Sequence, residues 1–331
     1  MTSIGGVCDF RSIGASFNFS PLPSEPVANV NPPVIPAKAG IQWFVKTSPR
    51  STSRLSYGFA RAAHAPCWQN GPIYSRRRRL IDLSGRHVII AGGSRGIGAA
   101  SAKKIARAGG AVTLTYLDSA EAAHGVVAEI QGQGGSAMAV RADVSVEGEM
   151  DRTVAAAEER FGRPWGLVVS AGIFEGRRLE EMTAEFWDRT MAINLRGTFL
   201  SVRAAAPAMK RGGHGGAIVI YASTAGQRGS AVYSAYAASK GAQILFMRSM
   251  AQELAPDRIR VNCIAPAWTD TDMAAPSLDA LGRAEVARTF PLGRIGTPED
   301  VADATCFLLS DAAGFITGAT LTVDGGMDMR G

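Results

Sequence analysis

His87-Val88-Ile89-Ile90-Ala91-Gly92-Gly93-Ser94-Arg95-Gly96-Ile97-Gly98 is the stretch that decides the fold. Its first five residues are a short apolar run that reads as a strand, and the segment from Gly96 to Ala108 has the period of a helix. Between them lies a loop with glycines at 92, 96 and 98. Glycine lets a backbone turn tightly and come close to a ligand. The bare N–H groups and the dipole at a helix start favour negative charge, so a strand, a glycine loop and a helix opening in this order suit a pyrophosphate. The spacing is G-x-x-x-G-x-G rather than G-x-G-x-x-G. A plain tight strand-to-helix turn is the competing reading of the loop alone.

The same texture continues outward. Strands are expected at Val112 to Tyr116, Ala137 to Arg141, Leu167 to Ser170, Ala217 to Tyr221, Ile259 to Ile264 and Thr320 to Val323. Helices are expected at Ala120 to Ile130, Glu147 to Phe161, Ala184 to Met209, Tyr233 to Leu254 and from Pro298 to Leu309. Near-continuous apolar strands alternating with helices mean a parallel sheet with both faces covered. The fold class is α/β: a Rossmann-type doubly wound parallel sheet of about seven strands, whose ligands bind beyond the carboxyl ends of the strands.

Residues 1–80 differ in kind. They hold nine of the sixteen prolines and ten Lys or Arg against two acids, Asp9 and Glu25, so the formal charge of +6 resides there and the remainder is slightly acidic. Such a segment buries too little apolar surface to offset its ordering entropy. The expected organisation is a disordered basic extension over 1–80 and a single domain over 81–331. Four readings of the extension stay open: a transit peptide, a nucleic-acid or lipid contact through Arg76 to Arg79, a tail without a role, and a start assigned too far upstream. The last rests on Asn31 to Gln42, which resembles translated bacterial intergenic repeat DNA. No stretch approaches the roughly 18 apolar residues of a membrane helix. Cys8, Cys67, Cys263 and Cys306 show no metal-ligand spacing and read as reduced thiols of a cytoplasmic protein. Neither metal, membrane nor nucleic-acid binding is expected of the domain.

Tyr236-Ala237-Ala238-Ser239-Lys240 places Tyr and Lys one turn apart on one helix face. A free phenol, with a pKa near 10, is a poor acid or base at neutral pH, and a neighbouring ammonium lowers it. Ser223 follows the fifth strand, where a hydroxyl can donate to a substrate oxygen on which charge develops.

Taken together, these motifs make residues from about Leu83 to Met327 resemble the short-chain dehydrogenase/reductase family in its compact form. The whole domain most resembles its 3-oxoacyl-[acyl-carrier-protein] reductases. The resemblance implies an NAD(P)(H)-dependent oxidoreductase interconverting a carbonyl and an alcohol. Tyr236 is then the general acid/base, Ser223 polarises the substrate oxygen, Lys240 tunes Tyr236 and bonds the nicotinamide ribose, and Asn194 holds a water that relays protons to Lys240. The implied cofactor contacts are Gly92, Ser94, Arg95, Gly96, Ile97 and Gly98, then Asp143 and Val144 after strand three. Ser170, Ala171 and Gly172 after strand four belong with them, as do Pro266, Thr269 and Thr271 after strand six. Three positions depart from the family pattern: Ala91 stands for Thr, Ser170 for Asn and Ala267 for Gly. NADP(H) is favoured over NAD(H), because Arg95 suits a 2′-phosphate and no acid ends strand two; Asp118 bending back to the ribose is the competing reading. The segment from Asp272 to Gly296, with Met273, Pro276, Leu278, Leu281 and Phe290, is expected to be an apolar, mobile lid over the substrate. A homodimer or homotetramer through the two long helices is expected, since they are apolar on more than one face. The alternative of another class is a non-catalytic dinucleotide-binding sensor or scaffold, which has no need of Tyr, Lys and Ser together.

Overall fold

The computed structural model describes residues 81–329; the expectations for residues 1–80 lie outside them. The strands are β1 (His87–Ala91), β2 (Ala111–Tyr116), β3 (Ala137–Arg141), β4 (Gly166–Val169), β5 (Gly216–Tyr221), β6 (Ile259–Pro266) and β7 (Thr320–Val323). They form one parallel sheet in the order β3-β2-β1-β4-β5-β6-β7. The helices are α1 (Gly96–Arg107), α2 (Ala120–Gly132), α3 (Glu149–Phe161), α4 (Ala184–Met191), α5 (Gly197–Gly212), α6 (Thr224–Arg228), α7 (Ser234–Glu253), α8 (Ala275–Leu281), α9 (Arg283–Arg288) and α10 (Pro298–Leu309).

The sheet is buried on both faces, which is why its central strands read as unbroken apolar runs. Ile89, Leu167, Ile218 and Val261 face α3, α5 and α7 on one side. Val88, Ile90, Val168 and Val219 face α1, α2 and α10 on the other. The chain reverses its direction of winding between β1 and β4, so the loops after these strands diverge and leave a crevice.

Two sequence expectations change. The helix read as Ala184 to Met209 is interrupted by a single π-turn, Ala192–Arg196, and then continues through Pro207 to Gly212. An apolar period cannot reveal one extra residue in a turn. The lid is built rather than loose: α8 and α9 enclose a small core of Ala274, Leu278, Val286 and Phe290. Leu278 and Phe290 therefore point into the lid's own interior. Of the five apolar residues expected over the substrate, Met273 alone lines the cleft.

Candidate active site

The crevice beyond β1 and β4 opens into a cleft of about 640 Å³. Its first wall is the loop after β1. Gly92 has φ +84°, and a Cβ there would lie 2.6 Å from the Ala171 backbone nitrogen. At Gly98 a Cβ would stand 2.0 Å from the Gly92 carbonyl oxygen, so the first turn of α1 packs on the loop with no room for a side chain. No side chain caps α1, whose N-cap is Arg95 in an extended conformation. Its first-turn N–H groups thus form an anion cradle of backbone alone. Gly92 N–H donates to the Thr115 hydroxyl at 2.9 Å, and Gly93 N–H to the Thr115 carbonyl at 2.9 Å. Thr115, on β2, supplies a hydroxyl tie of the kind that Ala91 cannot; sequence reading missed it because nothing local marks a strand threonine as a loop anchor.

The other departures are equally local. The Ser170 and Ala171 N–H groups both donate to the Ala91 carbonyl, at 2.9 and 2.8 Å, and join the β4 loop to β1 without an amide side chain. Ala267 is absent from the non-glycine residues with positive φ, Val232 and Arg258 among the described residues, so it needs no glycine there.

Each catalytic candidate has a placing element. Ser223 ends the β5 crossover and caps α6, its Oγ accepting from Ala225 N–H at 3.1 Å. Tyr236 and Lys240 lie one turn apart on α7 and both line the cleft. The Lys240 ammonium donates to the Tyr221 carbonyl at 2.7 Å and stands 5.7 Å from the Tyr236 ring centroid. Burial pulls Lys240 down to about 8, with the nearby Cys263 opposing. Burial likewise pushes the Tyr236 phenol up, and its hydrogen bond with Ser223 draws it part of the way back. Burial is thus the larger of these two influences on the phenol.

Asn194 is fully buried in the π-turn, behind the cleft wall. Its Oδ1 accepts from Ile173 N–H at 2.8 Å, and its Nδ2 donates to the Ile173 carbonyl at 3.1 Å and to Ser239 Oγ at 3.0 Å. Ser239 in turn donates to the Tyr236 carbonyl at 2.7 Å. The Asn194 carbonyl takes Gln243 Nε2 at 2.8 Å and the Thr198 hydroxyl at 2.7 Å. The amide thus clamps the β4 loop to the Tyr–Lys helix. Gln243 carried no local motif that would single it out, and Ser239, inside the Tyr236–Lys240 segment, had no role assigned from sequence.

Most of the remaining residues expected from sequence line the same cleft. Ser94, Arg95, Gly96 and Ile97 line one side of the cleft, Ala171 and Gly172 the base, and Pro266, Thr269 and Thr271 the wall after β6. Asp143 and Val144 line it from the β3 loop, where the Asp143 carboxylate also accepts from Ser145 N–H at 2.9 Å and Ser145 Oγ at 2.7 Å. Gly98 and Asn194 lie just beneath the surface. The glycine cradle, the helix start and the polar rim fit a dinucleotide.

A doubly wound sheet with a backbone pyrophosphate cradle and a Ser–Tyr–Lys set at its switch point defines a dinucleotide-dependent oxidoreductase. Comparison with known proteins agrees. Residues 91–328 match the family model described as enoyl-(acyl carrier protein) reductase. The L-rhamnose 1-dehydrogenase (NAD(P)(+)) of Azotobacter vinelandii is 39% identical over 252 residues, 75% of this chain and 97% of that one. The 3-oxoacyl-[acyl-carrier-protein] reductase of Synechocystis is 38% identical, covering 76% of this chain and all of the relative. The solved dehydrogenase/reductase of Sinorhizobium meliloti superposes with a TM-score of 0.70 at 38% identity, over 75% of this chain and 97% of its own. The chain belongs to the short-chain dehydrogenase/reductase family. It is an NAD(P)-dependent oxidoreductase that interconverts a carbonyl and an alcohol. No described helix is long and apolar enough to cross a membrane.

Proposed function

We propose that Tyr236 is the general acid/base of this enzyme, with Ser223, Lys240 and Asn194 in supporting roles. The observation that carries the reading is the convergence of Ser223, Tyr236 and Lys240, from β5 and α7, on one cleft with the glycine loop. A bound nicotinamide supplies or accepts the hydride; the protein supplies orientation and electrostatics. In the reductive direction the Ser223 hydroxyl polarises the substrate oxygen and Tyr236 protonates it. The Lys240 ammonium stabilises the phenolate left behind. Asn194 keeps Ile173 and Ser239, and with them the cleft floor and the Tyr236 turn, in register. The sensor or scaffold alternative has no use for this convergence.

For the cofactor we favour NADP(H). Arg95 is exposed at the cleft and makes no ion pair among the described residues, and Tyr116 and Leu117 occupy the end of β2 where an NAD enzyme places an acid. The dinucleotide is held by Gly92, Ser94, Gly96, Ile97 and Gly98 at the phosphates, by Asp143 and Val144 near the base, and by Ser170, Ala171, Gly172, Pro266, Thr269 and Thr271 along the nicotinamide half. The substrate is a small carbonyl compound or alcohol, 3-oxoacyl thioesters being among the candidates. A homodimer or homotetramer fits the apolar side chains exposed on the two long helical elements, Trp187, Phe199 and Leu245. A cytoplasmic site fits the buried free thiols Cys263 and Cys306. In this reading the catalytic domain starts near residue 81 and residues 1–80 are an extension to it.

The test is consumption of NADPH and NADH with a panel of ketones and 3-oxoacyl thioesters. Tyr236→Phe is expected to lose about 10²- to 10⁴-fold in kcat while still binding cofactor. Arg95→Ala is expected to remove the preference for NADPH. Undiminished turnover by Tyr236→Phe would overturn the assignment.

A further inference from the structure

The substrate side of the cleft is walled by rings. Phe174 stacks on Tyr233 with centroids 4.4 Å apart and planes 4° from parallel. Its ring also makes edge contacts with Tyr236 at 4.9 Å and Trp268 at 5.7 Å. Both separations lie within the range in which aromatic pairs attract. Phe174 is therefore the side chain packed directly against the proposed acid/base.

This ring is held from three directions. Its neighbour Ile173 is fixed through both backbone groups by the Asn194 amide. Arg177 N–H donates to the Val232 carbonyl at 2.8 Å and ties the β4 loop to the segment before α7. Val232 has φ +70°, an outlier for a β-branched residue, which the surrounding bonds must enforce. The next residue, Tyr233, is pinned at its hydroxyl to Ser277 of α8 at 3.2 Å. Through Val232 and Tyr233 the ring platform on which Phe174 stacks is tied to the β4 loop and to the lid.

The charges on this side are largely committed. Arg189 donates to both carboxylate oxygens of Glu175, at 3.0 and 2.8 Å, and Arg228 faces Asp328 at 3.7 Å. Asp272 is exposed on the lid beside Thr271. The ring in contact with Tyr236 is Phe174, backed by Trp268, and Ile193, Met273 and Met327 add apolar surface to the same cleft beside the polar Ser223, Thr224 and Ser230. A polyhydroxylated substituent would leave hydroxyls without partners against that wall, a cost that a ring or short hydrocarbon avoids.

Building on the catalytic reading of this cleft, we propose that Phe174 is its specificity-determining residue. It selects neutral secondary alcohols and ketones that carry an apolar ring over polyhydroxylated substrates such as aldoses.

The experiment uses the full chain with NADP⁺ and NAD⁺. Oxidation of 1-phenylethanol, cyclohexanol, 2-butanol and L-rhamnose is measured for the wild type, Phe174→Ala and Phe174→Leu. The wild type is expected to show at least tenfold higher kcat/KM for 1-phenylethanol than for L-rhamnose. Phe174→Ala is expected to lower the ratio of 1-phenylethanol to 2-butanol at least tenfold, mainly through KM. Phe174→Leu, which keeps apolar volume without an aromatic edge, is expected to fall between the two and guards against a folding defect in the alanine variant. Three results would overturn the proposal: L-rhamnose oxidised as well as the ring alcohols, neither ring alcohol oxidised by protein that binds cofactor, or an unchanged ratio in both variants. Tyr236→Phe, assayed alongside, addresses the catalytic reading separately, because its loss of turnover is independent of which alcohol the wild type prefers.

Discussion

The two halves of the cleft are built by different means. The cofactor half is defined by backbone: glycines at 92 and 98 where a Cβ cannot fit, N–H groups at the start of α1, and main-chain ties from Ser170 and Ala171 to Ala91. The substrate half is defined by side chains: the stacked pair Phe174–Tyr233, the Trp268 ring, and a lid closed over Leu278 and Phe290. A backbone site accepts few changes, because the chain path itself is the binding surface. A side-chain site changes its preference one residue at a time while the path stays the same. Relatives named as an L-rhamnose dehydrogenase and a 3-oxoacyl-[acyl-carrier-protein] reductase match this chain at nearly equal identity.

The largest effect that would sharpen the comparison is expected at Gly98. In Gly98→Ala the new methyl meets the Gly92 carbonyl oxygen, and neither backbone segment can yield cheaply. Overpacking of this kind costs about 1–3 kcal/mol, and if that cost falls on the bound state cofactor affinity is expected to drop about 5- to 150-fold. Cofactor titration by fluorescence measures it; affinity equal to wild type would show that the loop is more pliable than its packing implies. A differently placed effect, smaller on cofactor affinity, is expected at Leu278. Leu278→Ala removes the centre of the lid core, a change worth about 2–5 kcal/mol in a well-packed site. Because the buried part of that core lies within residues 274–290, with Ala267, Trp268, Ile295 and Met327 packed against it, the expected outcome is a raised KM for substrate and faster amide exchange across the lid, with cofactor affinity kept. Equal loss of cofactor affinity would break the division into two halves.

The smallest effect lies outside both halves. His87 is buried at the start of β1, with Nδ1 at 2.9 Å from the Gly162 carbonyl and Nε2 at 2.9 Å from the Thr113 hydroxyl. Burial lowers its pKa below the ordinary 6.5. In the window below that value the unfolded chain binds a proton that the folded chain does not, so stability rises with pH there and is lost as pH falls through the folded pKa. The melting temperature is expected to drop between pH 7.5 and pH 5.5, and to drop less in His87→Asn. Parallel profiles for the two proteins would assign the acid sensitivity elsewhere. Neither cleft half should respond to this substitution at pH 7.5.

The cofactor half was largely legible in the sequence. His87–Ala91, Ala137–Arg141 and Thr320–Val323 fall where the apolar runs place them, and Pro298 opens α10 under a capping box of Thr297 and Asp300. These elements are local: a buried parallel strand needs a continuous apolar run, and a helix start needs its cap. The lid was misread because the apolar residues of a short segment do not say whether they face a ligand or one another. Leu278 and Phe290 face one another's neighbourhood, and Met273 faces the cleft. The π-turn around Asn194 was invisible for a related reason, since its register depends on bonds to Ile173, Ser239 and Gln243 from other elements.

By itself the sequence determined the order of strands and helices and the glycine path of the loop after β1, and it singled out Ser223, Tyr236 and Lys240 as the candidates proposed above, because each rests on periodicity, backbone freedom or side-chain chemistry carried within a few residues. Tertiary structure alone decided that burial raises the Tyr236 phenol, that Thr115 anchors the loop, and that Phe174 packs edge-on against Tyr236. Those outcomes depend on which distant segments pack together and exclude water, and no local pattern encodes that.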